Sequence, residues 1–208
     1  MGLSVDHDSR HSIGVFGGTF DPIHNGHLAV AEFALKAARL DCVLLVPTGR
    51  PWLRASQPHA SPVDRLRMAE LAVEGRAGLL VSRVDVDRPG ETYTVDTLRD
   101  LRREYGDGVD LALILGADSA RSLPRWKQAA ELPRMSKLVI IGRPGEDWRP
   151  ESLERGHPAA LADYFEGPMA EVSATEIRRR LAAGEPVSGM MPDAVERYIR
   201  DQGLYGVG

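Results

Sequence analysis

The densest chemistry in the 208 residues lies in one run, Gly17-Gly18-Thr19-Phe20-Asp21-Pro22-Ile23-His24-Asn25-Gly26-His27. It follows directly on the apolar stretch Ile13 to Phe16, which reads as a strand, and it leads into a helix starting near Asn25. Strand, glycine turn and helix start together make an anion-binding geometry. Adjacent glycines let backbone N–H groups approach a ligand, and the first helical turn adds unpaired N–H groups and the positive end of a dipole. Thr19 can add a hydroxyl donor. His24 and His27 are three apart, so at a helix start they project from one side and can donate to a triphosphate as negative charge builds up. Gly26 between them removes a side chain that would crowd the phosphate. The pair could instead bind a metal, but zinc wants a third protein ligand, for which Asp21 is the obvious nearby candidate.

A second constellation is Ser173-Ala174-Thr175-Glu176-Ile177-Arg178. Ser173 and Glu176 have the spacing of a helix capping box, which accounts for those two residues and leaves Arg178 unexplained. Thr175 and Arg178 share a helical face, where hydroxyl and guanidinium can meet one leaving group. Arg179 and Arg180 point elsewhere and read as solvated charge. Leu115-Gly116-Ala117-Asp118 closes an apolar run, placing a carboxylate where it can accept from ribose hydroxyls beside a glycine that allows close approach. Taken alone Trp126 reads more readily as a buried core residue, and its polar segment between Arg125 and Lys127 brings forward a stacking role on a ligand. Thr94 reads as a helix N-cap.

Short apolar runs alternate with longer amphipathic stretches and supply the elements that must hold these residues. Ile13 to Phe16, Cys42 to Val46, Leu79 to Val86, Leu111 to Leu115 and Leu138 to Ile141 read as strands buried on both faces. Leu28 to Leu40, Val63 to Val73 and Val95 to Tyr105 read as helices between them, so a parallel α/β sheet is expected. Ser61-Pro62 starts one helix and Gly75 ends it, while Gly184 and Gly203 follow the last two. In a doubly wound sheet, ligand loops leave the carboxyl ends of strands. Two stretches rich in Pro, Gly and charge, Pro47 to Ala60 and Gly142 to Ala160, lie there and read as lids or surface loops. Without a repeat or a long linker, one domain over residues 1–208 is expected, with residues 1–11 as a tail.

Composition bounds the class. At 43% hydrophobic and 27% charged residues the chain can build an ordinary globular core. Its 26 Lys and Arg against 30 Asp and Glu leave a net charge of -4, without the basic excess of a nucleic-acid-coating or membrane-surface protein. Only Lys36, Lys127 and Lys137 are lysines, so the cations are chiefly arginines, from composition bias or as planar forks for phosphate. The single Cys42 excludes an internal disulfide and reads as an inert core thiol. Neither a signal peptide nor the ~18 apolar residues of a membrane span occurs, which points to the cytoplasm. A homo-oligomer stays open.

At every position the run Gly17 to His27 fits the GG(S/T)FDPxHxGH signature, and the chain resembles the bacterial nicotinate-mononucleotide adenylyltransferases, within the nucleotidyltransferase superfamily marked by HxGH. The resemblance extends from about Ser12 to Tyr205. It implies a doubly wound, mostly parallel, Rossmann-like α/β fold with C-terminal helices. It also implies transfer of AMP from ATP to nicotinate mononucleotide, with Mg²⁺ held mainly by the ATP phosphates and no metal ligands from the chain. By the same resemblance His24, His27 and Arg178 act on the phosphates. Gly17, Gly18, Thr19, Phe20, Gly116, Asp118, Ser173 and Thr175 would bind ATP. Thr92, Trp126, Arg143 and Arg54 would bind the mononucleotide, Trp126 by stacking on the nicotinate ring and Arg143 by lining the same pocket. Arg54 stands where members often carry Lys. Phosphopantetheine adenylylation, cytidylyl transfer and a nucleotide-sensing module without turnover are the rival readings.

Overall fold

Strands buried on both faces pair in parallel because helices must cover both sides, and the chain obeys this over most of its length. The computed structural model describes residues 11–52, 58–146, 148–169 and 172–207. The expected tail over residues 1–10, and Arg54, lie outside them; His11, expected in that tail, opens the first strand. In chain order the elements are β1 (His11–Gly18), α1 (Asn25–Ala37), β2 (Cys42–Pro47), β3 (Arg50–Pro51), α2 (Pro62–Val73), β4 (Leu79–Val81), β5 (Glu91–Thr92) and α3 (Thr94–Tyr105). There follow β6 (Val109–Gly116), α4 (Ala117–Arg121), α5 (Leu132–Met135), β7 (Lys137–Gly142), β8 (Asp163–Glu166), α6 (Ala174–Ala182) and α7 (Asp193–Asp201).

Six strands form one sheet in the order β4-β2-β1-β6-β7-β8, every neighbouring pair parallel. Successive side chains of a strand point to opposite faces, which divides the core in two. Val43, Leu45, Ile114 and Val139 pack on one face with Leu28 of α1, Met68 of α2 and Ile177 of α6. Leu44, Val46, Leu113 and Ile140 pack on the other with Leu98 and Leu101 of α3 and Leu132 of α5. From β1 the chain winds outward through β2 and β4, then returns to lay β6 on the opposite side of β1. The reversal makes the carboxyl ends of β1 and β6 the switch point at which such sheets bind ligands.

Local chemistry sets the boundaries. Ser61 caps α2 by accepting from the Asp64 N–H at 3.1 Å, with Pro62 in the first turn, and Gly75, Gly184 and Gly203 follow their helices at φ +75°, +69° and +60°, as the sequence indicates. The strand expected over Leu79 to Val86 stops at Val81. Ser82 adds one more bond, its N–H to the Leu45 carbonyl at 3.0 Å, after which Asp85 turns inward to the Thr97 hydroxyl at 2.6 Å and Arg88 at 3.0 Å. The edge strand β8 and the two-residue parallel pairing of β3 with β5 escape sequence reading, as do the short helices α4 and α5. The stretch Gly142 to Ala160 is packed in part, since Trp148 stacks on Tyr164 under the Arg121 guanidinium and Ala159 is fully buried. Among the described residues no helix is long and apolar enough to cross a membrane.

Candidate active site

Because β1 alternates its faces, its end serves two cavities. Val15 and Gly17 border one of about 240 Å³, whose lining includes Thr19, Thr48, Trp52, Thr92 and Trp126. Phe16 borders another of about 310 Å³, lined by His24, His27, Gly116, Asp118 and Arg143. Ser119, just inside α4, lines both. The sheet edge therefore separates an aromatic-walled slot from a histidine-lined one, and they share a border at the switch point.

In the aromatic cavity, Trp126 is fixed by its Nε1–H donating to the Ser122 hydroxyl at 3.1 Å, while Trp52 lies 5.4 Å from the Tyr93 ring. Thr92 is buried, and its hydroxyl oxygen accepts from the Arg50 N–H at 3.2 Å, which ties β3 to β5 at the cavity wall. The neighbouring Gly49 has to be glycine, since a Cβ there would lie 2.2 Å from the Asp85 carbonyl oxygen. Burial pushes the Asp85 carboxyl up to about 6, although the Thr97 hydroxyl and Arg88 pull against it. Thr94 does not cap α3 as expected. It is the first helical residue, Tyr93 takes the cap position, and Thr94 lines the cavity instead.

In the histidine cavity the two rings stack, centroids 3.7 Å apart and 26° between planes. The His24 N–H donates to His27 Nδ1 at 3.3 Å, so a neutral His27 carries its proton on Nε2, the nitrogen left for a ligand. Burial lowers His24 to about 4; burial and the neighbouring His24 lower His27 to about 3. Both rings are therefore neutral at pH 7. A linkage effect follows. Between pH 3 and 6.5 an unfolded chain protonates His27 and the folded one does not, so this stability is present above pH 6.5 and is lost as pH falls. From pH 7 to 5 the loss is about 2 kcal/mol, at ~1.4 kcal/mol per pH unit below 6.5. Urea unfolding at both pH values should show His27→Gln losing less stability than the unsubstituted protein by about that amount.

The structure brings some expected residues together and separates others. Gly17, Gly18 and Thr19 line the aromatic cavity rather than the histidine one. Phe20, expected at ATP, is 2% exposed, and its ring meets His27 edge-on at 5.0 Å. Its side chain supports His27 from the core, and Gly18 is glycine because a Cβ would lie 2.6 Å from that ring. Arg143, expected beside Trp126, lies across the sheet with the histidines. The register pairs Gly116 with Ile141, so the chain leaving β7 emerges beside Gly116. There the Arg121 guanidinium and the Arg143 N–H hold the Glu146 carboxyl below its usual range.

Arg178, Thr175, His59 and Tyr205 line a third cavity of about 540 Å³. Arg178 Nη1 donates to the Asp21 carbonyl at 2.6 Å and Nη2 to the Thr175 hydroxyl at 3.3 Å, which joins α6 to the loop before the histidines. Ser173 caps α6 by accepting from the Glu176 N–H at 3.2 Å. The reciprocal half of the box is not made, because the Glu176 carboxylate pairs with Arg179 and Arg180. The Asp21 carboxylate, the third ligand of the metal reading, instead accepts from the His59 and Ala60 N–H groups at 2.8 and 3.0 Å and from the Tyr205 hydroxyl at 2.8 Å. Sequence reading missed Ser119 and Asp85. The first could have been found from its place just past Gly116, the second from an acid inside an apolar run.

Residues 15–180 match the family model described as cytidylyltransferase-like. The chain is similar to the "Probable nicotinate-nucleotide adenylyltransferase" of Acidothermus cellulolyticus, 41% identical over 200 residues covering 94% of this chain and 95% of that one. It is equally similar to the protein of the same name from Chromobacterium violaceum, 41% identical over 207 residues covering 93% and 98%. Among solved structures it resembles Plasmodium falciparum nicotinic acid mononucleotide adenylyltransferase complexed with NaAD, with a TM-score of 0.75, 18% identity and coverage of 95% and 98%.

Proposed function

The chain belongs to the cytidylyltransferase-like family, among its nicotinate-nucleotide adenylyltransferases, and we propose that it places the two substrates of that reaction in the two cavities that meet at Ser119. The reaction moves the adenylyl group of ATP to nicotinate mononucleotide and releases pyrophosphate, a step of NAD biosynthesis. The observation that carries the proposal is the border at Ser119 between an aromatic slot and a histidine-lined one. A flat pyridine ring suits the slot beside Trp126, and a triphosphate suits the neutral N–H donors across the sheet.

The mononucleotide phosphate is already an anionic nucleophile at neutral pH, so no general base is demanded and no covalent intermediate is needed. The protein's work is to hold that phosphate in line with the α-phosphorus and to meet the charge that moves to the leaving group. In this reading His24 and His27 donate to the triphosphate, while Asp118 and Gly116 receive the ribose side. Arg143 supplies its cation on the triphosphate side rather than to the nicotinate carboxylate. The described lining of the aromatic cavity holds no Lys or Arg, so within it the hydroxyls of Thr92 and Thr94 meet that carboxylate, and Arg54 is proposed beside the mononucleotide. Arg178, with Ser173 and Thr175, takes the departing pyrophosphate by exchanging its present hold on the Asp21 carbonyl. Among the described residues no three His, Cys, Asp or Glu side chains converge as a metal cage. Magnesium in this reading enters with the nucleotide as MgATP, no protein ligand is assigned to it, and the cytoplasm is the proposed location.

Pyrophosphate release from MgATP with nicotinate mononucleotide tests the reading, run beside nicotinamide mononucleotide, phosphopantetheine and a blank without acceptor. Release is expected with the first substrate in strong preference; ATP binding without release would favour a nucleotide sensor. In the same assay Trp126→Ala should raise the KM for the mononucleotide about 10- to 100-fold, the equivalent of the ~1–3 kcal/mol of an aromatic stack, with the KM for ATP little changed. Equal rises for both substrates would make Trp126 a packing residue.

A further inference from the structure

The face of α2 that packs on the sheet carries Met68, Ala69 and Ala72, and one helical turn before them it carries Arg65, which is 0% exposed. Helical periodicity asks for an apolar residue there, and a buried guanidinium is costly unless its donors are used. Here they are used on backbone carbonyls of three segments. Nη1 donates to Thr19 at 2.8 Å and to Thr48 at 2.6 Å, Nη2 to Gly49 at 2.8 Å, and Nε to Ala60 at 3.3 Å.

Thr19 belongs to the turn after β1, and Thr48 and Gly49 to the loop after β2. Both Thr19 and Thr48 line the aromatic cavity. The two segments also touch directly, the Thr48 N–H and hydroxyl both donating to the Gly18 carbonyl, at 2.9 and 3.2 Å. Gly49 in turn lies against the backbone of Asp85. One planar fork therefore sets the turn that runs on to the histidines against the loop that walls the aromatic slot. Lysine, a single ammonium on a flexible stem, lacks that fixed spread of donors.

We propose that Arg65 is a positioning residue for adenylyl transfer, its guanidinium holding the Thr19 carbonyl in register with those of Thr48 and Gly49 so that the two substrates are aligned. The inference rests on the adenylyl-transfer reading. Misplacing reacting groups by an ångström costs about 10²-fold in rate, and because Arg65 lines none of the three cavities, the loss falls on kcat rather than on KM.

The test compares Arg65→Lys and Arg65→Met with the unsubstituted protein. It uses kcat and both KM values, normalised to the folded fraction from circular dichroism melts. The proposal expects kcat per folded molecule to fall about 10²-fold in Arg65→Lys, with each KM within about threefold, and at least as far in Arg65→Met wherever that variant folds. Unchanged kcat per folded molecule, a loss confined to KM, or failure of both variants to fold would each make Arg65 structural only and overturn it. An unsubstituted protein that makes no dinucleotide would instead overturn the transfer reading and the inference with it.

Discussion

Replacing His24 with alanine is expected to lower kcat about 10²- to 10³-fold while leaving the protein folded. The magnitude is that of losing one pre-placed donor to developing charge. His24 is 7% exposed and stacked on His27 at 3.7 Å, and burial lowers its ring to about 4, so at pH 7 it offers a neutral N–H that needs no desolvation as the pyrophosphate leaves. Its Nδ1 is buried without a hydrogen-bond partner among the described residues. The fold should survive because the start of α1 is moored by Asn25, whose N–H and side-chain amide reach the carbonyls of Met190 and Gly189 at 2.9 and 2.7 Å. Steady-state pyrophosphate release beside a thermal melt checks both halves. If the two rings act as a unit, His24→Ala/His27→Ala should be little worse than either single variant. A kcat near that of the unsubstituted protein would remove His24 from the mechanism.

The second large effect is on stability. Asp21→Ala should destabilise the fold by about 4 kcal/mol, because it strips an acceptor from three donors at a carboxylate only 2% exposed. Each donor orphaned away from water costs about 1–3 kcal/mol. Burial beside that carboxylate also keeps the Tyr205 phenol well above its usual range, and losing the contact frees the C-terminal turn. For a chain of this size the melting temperature should drop by about 8–16 °C, at ~2–4 °C per kcal/mol. Asp21→Asn should fall between, since its amide oxygen still accepts. A melting temperature within about 2 °C of the unsubstituted protein would show that these bonds carry little.

Local signals were legible wherever chemistry and geometry act over a few residues. Ile13 to Phe16, Cys42 to Val46, Leu111 to Leu115 and Leu138 to Ile141 announce central strands because burial on both faces demands continuous apolar side chains. Ser61-Pro62 and Gly75 mark the ends of α2 for reasons confined to single turns. The edge strand β8 and the β3–β5 pairing stayed silent. A half-exposed strand needs no apolar run, and a two-residue bridge has no period.

By itself the sequence determined the parallel sheet, the glycine turn with its two histidines at a helix start, and, through the full Gly17 to His27 run, the family. Only the tertiary structure decided which cavity each residue serves. Alternation along β1 put Val15 and Gly17 with Trp126 and Phe16 with the histidines, and the pairing of Gly116 with Ile141 carried Arg143 to the histidine side. Asp21 meets Tyr205 across 184 positions and Arg178 across 157, and Arg65 meets Thr19 across 46. Helix and strand periods are written in neighbours. Contacts between distant residues exist only once two faces have packed, so a motif can name its chemistry without naming the side of the sheet on which that chemistry is done.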